Sequence, residues 1–415
     1  MYKLYNTAKE FTTDFKQTLE KAIPDIKKTQ LNIIPYIILS MILSESCVPL
    51  DMAKVLKDEF SSIQIDSVIK RIRRFFSNKL FNPYIFYQKL IMYILNSFHP
   101  KHEDKTLYIT FDHMFSKSNY TVFMFTLRVG TFGVPIWFRC FKDISNNDAF
   151  KLNTIQKGIE AVSKLFENLG FNLVFLADRW FGSSKILDII DKLGHIYAIR
   201  LKGNIIVYLN GEKIKVKKLK HRKYHSVIYE NVLITDDRYK TTIVYSPTNN
   251  TKDPWIIVTN GDPSKALKSY SYRFGSIETM FKAQKSNGFN LEKISNASLE
   301  SFTTMYTMVC TCILYLTILG ADYSKNTRCY KDVNIETHKT YNIDGKKVKK
   351  RIMSLFNAGL TLFKRAFNSC VYIRIPLSFK GSVQSFCNFY PFFSLFIYIF
   401  LYFYCTPLFF EVLFI

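Results

Sequence analysis

Apolar residues recur at helical spacing over the first hundred positions. From about residue 105 they switch to alternation and short runs. Leu31–Leu43 is predicted as an apolar helix, and Leu50–Phe60, after Pro49, as a short amphipathic one. A second short helix is predicted over Ile65–Phe76. Three strands should follow: Leu107–Phe111, ending at Asp112, then Tyr120–Arg128 and Val134–Phe141, joined through Gly130 and Gly133. Asn147 is placed to cap a helix from Asp148 to Leu169, with Gly170 as its stop. Asn172–Ala177 reads as a buried strand ending at Asp178. Ser183 or Ser184 would cap the next helix, which Gly194 would stop after Leu193, and His195–Leu201 reads as a further strand. The pattern is that of a mixed α/β layer.

Residues 203–261 change character to short strands and turns, an antiparallel β insertion. Within it Lys213–Lys223 alternates basic and apolar positions, which suits either a basic strand edge on a phosphate backbone or a solvated edge guarded by lysines. Helical spacing resumes at Asp262, a cap with Pro263 at the first helical position. One amphipathic helix is predicted to run on through Tyr270–Glu292, with Asn287-Gly288 as its end. Leu299–Leu319 is apolar nearly all round and should be buried. Ala321–Lys350 reads as a polar linker, and Arg351–Phe367 as an amphipathic helix. From Phe386 to Ile415 charge almost vanishes. Three readings stand: a tail anchor, a buried terminal element, or A/T-rich sequence translated past the natural end, which the abrupt loss of charge favours.

Composition narrows the partners. The chain has 415 residues and a formal net charge of +24, with 57 Lys and Arg against 33 Asp and Glu. Self-repulsion of that size is tolerated best beside a polyanion, and a spread of lysines suits a long phosphate track. Basic ribosomal and membrane-surface proteins share the signature. The short helix at 65–76 adds Lys70, Arg71, Arg73 and Arg74. With the helix before it, this is either a helix-turn-helix that reads DNA or a small bundle with a solvated basic face. The eight cysteines show no metal-binding spacing, and Cys310-x-Cys312 would diverge on a helix, so they are expected reduced in the cytoplasm. The polar start of the chain does not read as a signal peptide.

Three carboxylates then stand out. Asp112 and Asp178 each close a predicted strand, and residues just past neighbouring strand ends meet at one sheet edge. Glu278 lies on the helix after the insertion, between Arg273 and Lys285; Lys285, two turns on, shares its stripe. Singly, each has an ordinary reading as a turn residue, a cap or a surface ion pair. Together they form an oxygen-only set suited to Mg²⁺, and two such ions would activate an attacking oxygen and stabilise a leaving one in phosphodiester displacement.

These residues sit in I-T-F-D-H-M-F, L-A-D-R-W-F-G-S and Y-S-Y-R-F-G-S-I-E-T-M-F-K-A-Q-K-S-N-G-F-N-L-E. Over roughly residues 105–320 the chain resembles the DDE transposases of bacterial insertion sequences, in the insertion-sequence-four family. Tyr270, Arg273, Glu278 and Lys285 take the places of that family's Tyr-Arg-Glu-Lys signature. Four residues separate the Arg from the Glu where the family usually has three, so Tyr272 is an alternative to Tyr270. The resemblance implies an α/β fold: an RNase H-like core (105–202 and 262–320) interrupted by the β insertion (203–261). A helical DNA-binding domain (1–100) precedes it; a linker with a helix (321–380) and the hydrophobic tail (381–415) follow. It also implies two Mg²⁺ ions, or Mn²⁺ in their place, on Asp112, Asp178 and Glu278, with water-mediated cleavage at the element's ends and attack of the freed 3′-hydroxyl on target DNA. Tyr270, Arg273 and Lys285 would contact end phosphates. Trp180, beside Asp178, would either pack in the core or stack on a displaced base. Double-stranded DNA, as terminal inverted repeats and target, is the implied partner. A homodimer on paired ends is implied, with no stable membrane partner. The rival readings are a catalytically inactive DNA-binding remnant and a basic membrane-associated protein.

Overall fold

The computed structural model describes residues 8–59, 64–96, 105–116, 119–142, 151–219, 225–247, 254–285, 288–294, 297–325, 333, 335–343 and 346–368. The hydrophobic tail, Asn147, Asp148, Asn287 and residues 220–223 lie outside them.

Five helices come first: α1 (Ala8–Ala22), α2 (Lys28–Ser44), α3 (Pro49–Glu59), α4 (Ile65–Phe76) and α5 (Pro83–Asn96). In α4 the apolar stripe Val68, Ile72, Phe75 and Phe76 is buried, which turns Lys70, Arg71, Arg73 and Arg74 to the exposed side.

The strands β1 (Thr106–Phe115), β2 (Tyr120–Val129), β3 (Phe132–Lys142), β4 (Asn172–Ala177) and β5 (Ile196–Arg200) lie in the order β3-β2-β1-β4-β5. The first three pair antiparallel, while β1, β4 and β5 run parallel. This is the order and orientation of an RNase H-like core. Helices α6 (Leu152–Phe166) and α7 (Ser184–Lys192) lie in the connections that lead to the parallel strands β4 and β5, which a tight hairpin could not join. The insertion strands β6 (Ile206–Leu209), β7 (Glu212–Lys215), β8 (Val227–Ile234), β9 (Tyr239–Ser246) and β10 (Trp255–Thr259) extend the same sheet beyond β5, through an antiparallel β5–β10 pair. The sheet therefore has ten strands. Lys213 and Lys215 lie on its outermost strand, β7.

The chain then turns back. Helix α8 (Pro263–Ser271) lies over β4, β5, β9 and β10, with Asp262 capping it through the Ser264 amide at 2.9 Å. Helix α9 (Ile277–Lys285) lands on β3 and β1. The single helix expected through Tyr270–Glu292 is thus two helices. Tyr272–Ser276 between them is a tight turn, whose amides reach carbonyls three residues back. The turn is pinned by Gly133 of β3. Its amide donates to the Ser276 carbonyl at 3.1 Å, and a Cβ there would stand 3.0 Å from the Ser276 backbone.

Helix α10 (Leu299–Lys325) passes through the centre. By length and composition Leu299–Ser324 resembles a membrane span, but its apolar 18-residue stretch is wholly buried, as in a core helix. It runs beyond the predicted Leu319 because α11 (Leu355–Asn368) supports its end. The two helices touch backbone to backbone at Gly320 and Gly359, where an added Cβ would fall 1.9 Å from the Leu355 or Leu316 carbonyl oxygen. Phe11 of α1 meets Tyr315 of α10 and Phe363 of α11 edge-on, so the first helices share one continuous core with the sheet. The stretch read as a linker holds an antiparallel hairpin, β11 (His338–Ile343) and β12 (Lys346–Arg351).

Candidate active site

Strand register sets the first two carboxylates side by side. Thr110 of β1 pairs with Leu176 of β4 in parallel. Two residues on, the same register brings Asp112 level with Asp178, on one sheet face because side chains alternate. Asp112 does not end its strand, as the sequence pattern suggested. It pairs with Met124, because β2 carries the ladder on as far as Phe115. Only β4 stops. Asp178 follows it and caps a one-turn 3₁₀ helix, its carboxylate accepting from the Arg179 amide at 2.7 Å. The opposite face of this corner is apolar: Phe111 meets Phe125, Phe175 and Phe181, and His113 stacks on Phe181.

Glu278 arrives in the first turn of α9, where the helix dipole favours a carboxylate. Arg273 joins it to the sheet. Its guanidinium donates to Asp112 Oδ2 at 2.6 Å and to Glu278 Oε1 at 3.0 Å. On a continuous helix, residues five apart would face about 140° from one another. The turn at 272–276 removes that offset and absorbs the additional residue between Arg273 and Glu278.

The electrostatics are those of a partly dry anionic cluster. Burial pushes the Asp112 carboxyl above the usual range, against the pull of Arg273 and the His113 amide, and Asp178 adds to the rise. Burial alone would weaken the Arg273 guanidinium's hold on its proton. Asp112, Tyr270, Asp178 and Glu278 outweigh it, so its pKa is raised. Its Nε is buried without a partner. Among the described residues, no three His, Cys, Asp or Glu stand close enough to hold one ion together; here a guanidinium links Asp112 to Glu278.

Two of the expected phosphate contacts lie buried in the structure. The Arg273 side chain is only 7% exposed and both its terminal nitrogens are engaged by carboxylates, so it faces inward. Tyr270 is 1% exposed, its ring held edge-on by Trp255 and Phe274 in a small apolar cluster under α8. Its hydroxyl is pushed up to about 12, chiefly by burial. Tyr272, the alternative, lies under the Arg128 guanidinium, 4.0 Å from the ring centroid.

The remaining candidates stay at the surface. Lys285 ends α9 and is 3.8 Å from Glu292. Trp180 is 71% exposed rather than packed in the core, because the 3₁₀ turn buries Phe181 and turns Trp180 outward, with the Lys202 ammonium 4.1 Å from its ring centroid. The four bases of α4 are exposed.

Sequence reasoning passed over Arg128 and Ser276. Arg128 is the one charged residue of β2, a visible signal. Ser276, fully buried and 3.3 Å from the Thr110 hydroxyl, left none.

This corner, with carboxylates at the ends of parallel strands and on a helix landing beside them, defines an α/β protein of the nuclease type. The family model described as "Transposase DDE domain" matches residues 118–315, beginning just after Asp112 and including Asp178 and Glu278. Over those residues the chain is similar to the DDE domain of transposases, which are nucleic-acid-processing enzymes. No curated protein matches it. Among solved structures, the Argonaute of Marinitoga piezophila, in complex with 5′ OH guide RNA and target DNA, is 18% identical with a TM-score of 0.19. The likeness covers 44% of this chain and 28% of the Argonaute.

Proposed function

We propose that the protein is an insertion-sequence transposase of the insertion-sequence-four type, cleaving DNA at the element's ends and joining them to target DNA. The observation that carries the reading is the single ionic corner in which the β1–β4 register levels Asp112 with Asp178, and Arg273 ties Asp112 to Glu278.

In donor type, though with Arg273 standing between Asp112 and Glu278, the set fits a hard divalent cation. It offers carboxylate oxygens only, and three negative charges face one guanidinium, an excess that a dication would neutralise. Asp112, Asp178 and Glu278 would hold Mg²⁺, with Mn²⁺ as a substitute. Bound there, the ions supply activation of the attacking oxygen and stabilisation of the leaving one. Arg273 aligns the carboxylates of Asp112 and Glu278 from inside the fold. Lys285 offers a point charge to an end phosphate, and Trp180 an exposed ring on which a displaced base stacks. The bases of α4 add phosphate contacts away from the chemistry. The protein acts as a homodimer on paired ends, in the cytoplasm.

The test is end cleavage of a labelled duplex carrying the DNA that flanks the reading frame, with Mg²⁺. Asp112→Ala, Asp178→Ala and Glu278→Ala are each expected to slow cleavage roughly a hundredfold or more while still binding the duplex. Chelation should stop the parent. Three variants that cut like the parent overturn the assignment. A parent that binds ends and never cuts is the inactive remnant instead.

A further inference from the structure

The β11–β12 hairpin stands outside the ten-stranded sheet, and nothing above uses it. Residues 338–351 read H-K-T-Y-N-I-D-G-K-K-V-K-K-R, six Lys and Arg against one Asp. The register places Lys339 directly opposite Lys350, and Tyr341 opposite Val348. Directly opposed residues share a face, so both pairs lie on the same side of the ribbon. All four are exposed, as is Lys347 on the other face. The ribbon is anchored at its base: Arg351 donates to Ser324 of α10 at 2.7 Å, and the Ile352 amide to the Thr337 carbonyl at 3.0 Å.

Two features do not serve the fold. Like charges directly across a strand pair repel, and a two-stranded ribbon is marginal without a core to cover. Among the described residues no carboxylate partners Lys339, Lys347 or Lys350; Lys350 lies 5.9 Å from the Tyr341 ring centroid. Lysines that merely guarded strand edges would need neither the opposed pair nor an exposed tyrosine beside it. A polyanion relieves the repulsion, and a flat ring beside two ammonium groups suits sugar and base edges better than a lipid surface. The major groove of duplex DNA admits a two-stranded ribbon of this width.

We infer that the β11–β12 hairpin is a second DNA-binding element, which lays its Lys339–Tyr341–Val348–Lys350 face against duplex DNA at a distance from the cleavage corner. The inference rests on reading the chain as acting on DNA.

The full chain and the double variant Lys339→Ala/Lys350→Ala are compared for binding to a 20-base-pair duplex of arbitrary sequence over a salt series. Loss of two phosphate contacts should lower affinity about tenfold at 0.1 M salt, and lessen the slope of log K against log salt by about 2. Without DNA the double variant should melt at the parent's temperature or above it, since a repulsion has been removed. A variant with the parent's affinity and slope overturns the hairpin's role, while the parent's own binding keeps the transposase reading intact. A parent that binds no duplex takes both down. A variant that loses binding to phosphatidylserine vesicles but not to duplex assigns the hairpin to a membrane surface and overturns the inference.

Discussion

The chain's excess positive charge is put to two opposite uses. At the corner of the sheet, Arg273 is buried and spans two carboxylates at 2.6 and 3.0 Å. On α4, Lys70, Arg71, Arg73 and Arg74 stand exposed along one side of a helix whose other side packs. The first cation is part of the fold's internal balance: with it removed, Asp112, Asp178 and Glu278 are left facing one another. Among the described residues the second set has no carboxylate partner, and its repulsion adds to that of a chain at +24. Burial and partners therefore distinguish a positioning charge from a binding charge, where residue type does not.

The sharpest way to break that contrast is Arg273→Met. It keeps much of the volume and removes both ion pairs, leaving Asp112 part-buried and uncompensated. A loss of about 2–3 kcal/mol in urea unfolding is expected, with an unchanged m-value. Arg273→Lys should recover part of it, since one ammonium does not span two carboxylates as a fork does. If Arg273→Met unfolds like the parent but binds duplex weakly, Arg273 belongs with the exposed set.

The exposed set should behave in the reverse way. Replacing Lys70, Arg71, Arg73 and Arg74 together by Gln should shift stability by less than about 1 kcal/mol, because none leaves a buried partner behind. Duplex affinity should fall, with a salt slope lower by about 2 to 4 according to how many meet phosphates. An unchanged slope would reduce α4 to a solvated bundle face.

Part of this was legible beforehand. Strand periodicity located β2, β3 and β4 closely, whereas Asp112, read as a strand end, lies within β1. The register that levels Asp112 with Asp178 was not legible, because pairing depends on where a neighbouring strand stops. Nor was the break at 272–276: Gly275 and Ser276 hardly interrupt a helical pattern, and the break is made by Gly133, far away in sequence. The same long-range cause hid the inward turn of Arg273 and Tyr270, since spacing gives a face only while the helix continues. Trp180 went the other way, as an aromatic after a buried strand reads as core until a short 3₁₀ turn rotates it out.

Lys285 lies between the two extremes, and there the effects are smallest. Its side chain is 32% exposed, and Glu292 stands 3.8 Å away, at the outer limit of an ion pair. Such a pair contributes little, so Lys285→Ala should change unfolding free energy by less than about 0.5 kcal/mol. The informative variant is Glu292→Gln. If Lys285 serves the fold, losing its partner should weaken the protein slightly and leave DNA binding alone. If it serves an end phosphate, the carboxylate competes with DNA for the same ammonium, and Glu292→Gln should tighten end binding about twofold, with Lys285→Ala weakening it by a similar factor. Opposite signs from the two variants in one titration place Lys285 with the exposed charges; binding unchanged in both places it with Arg273.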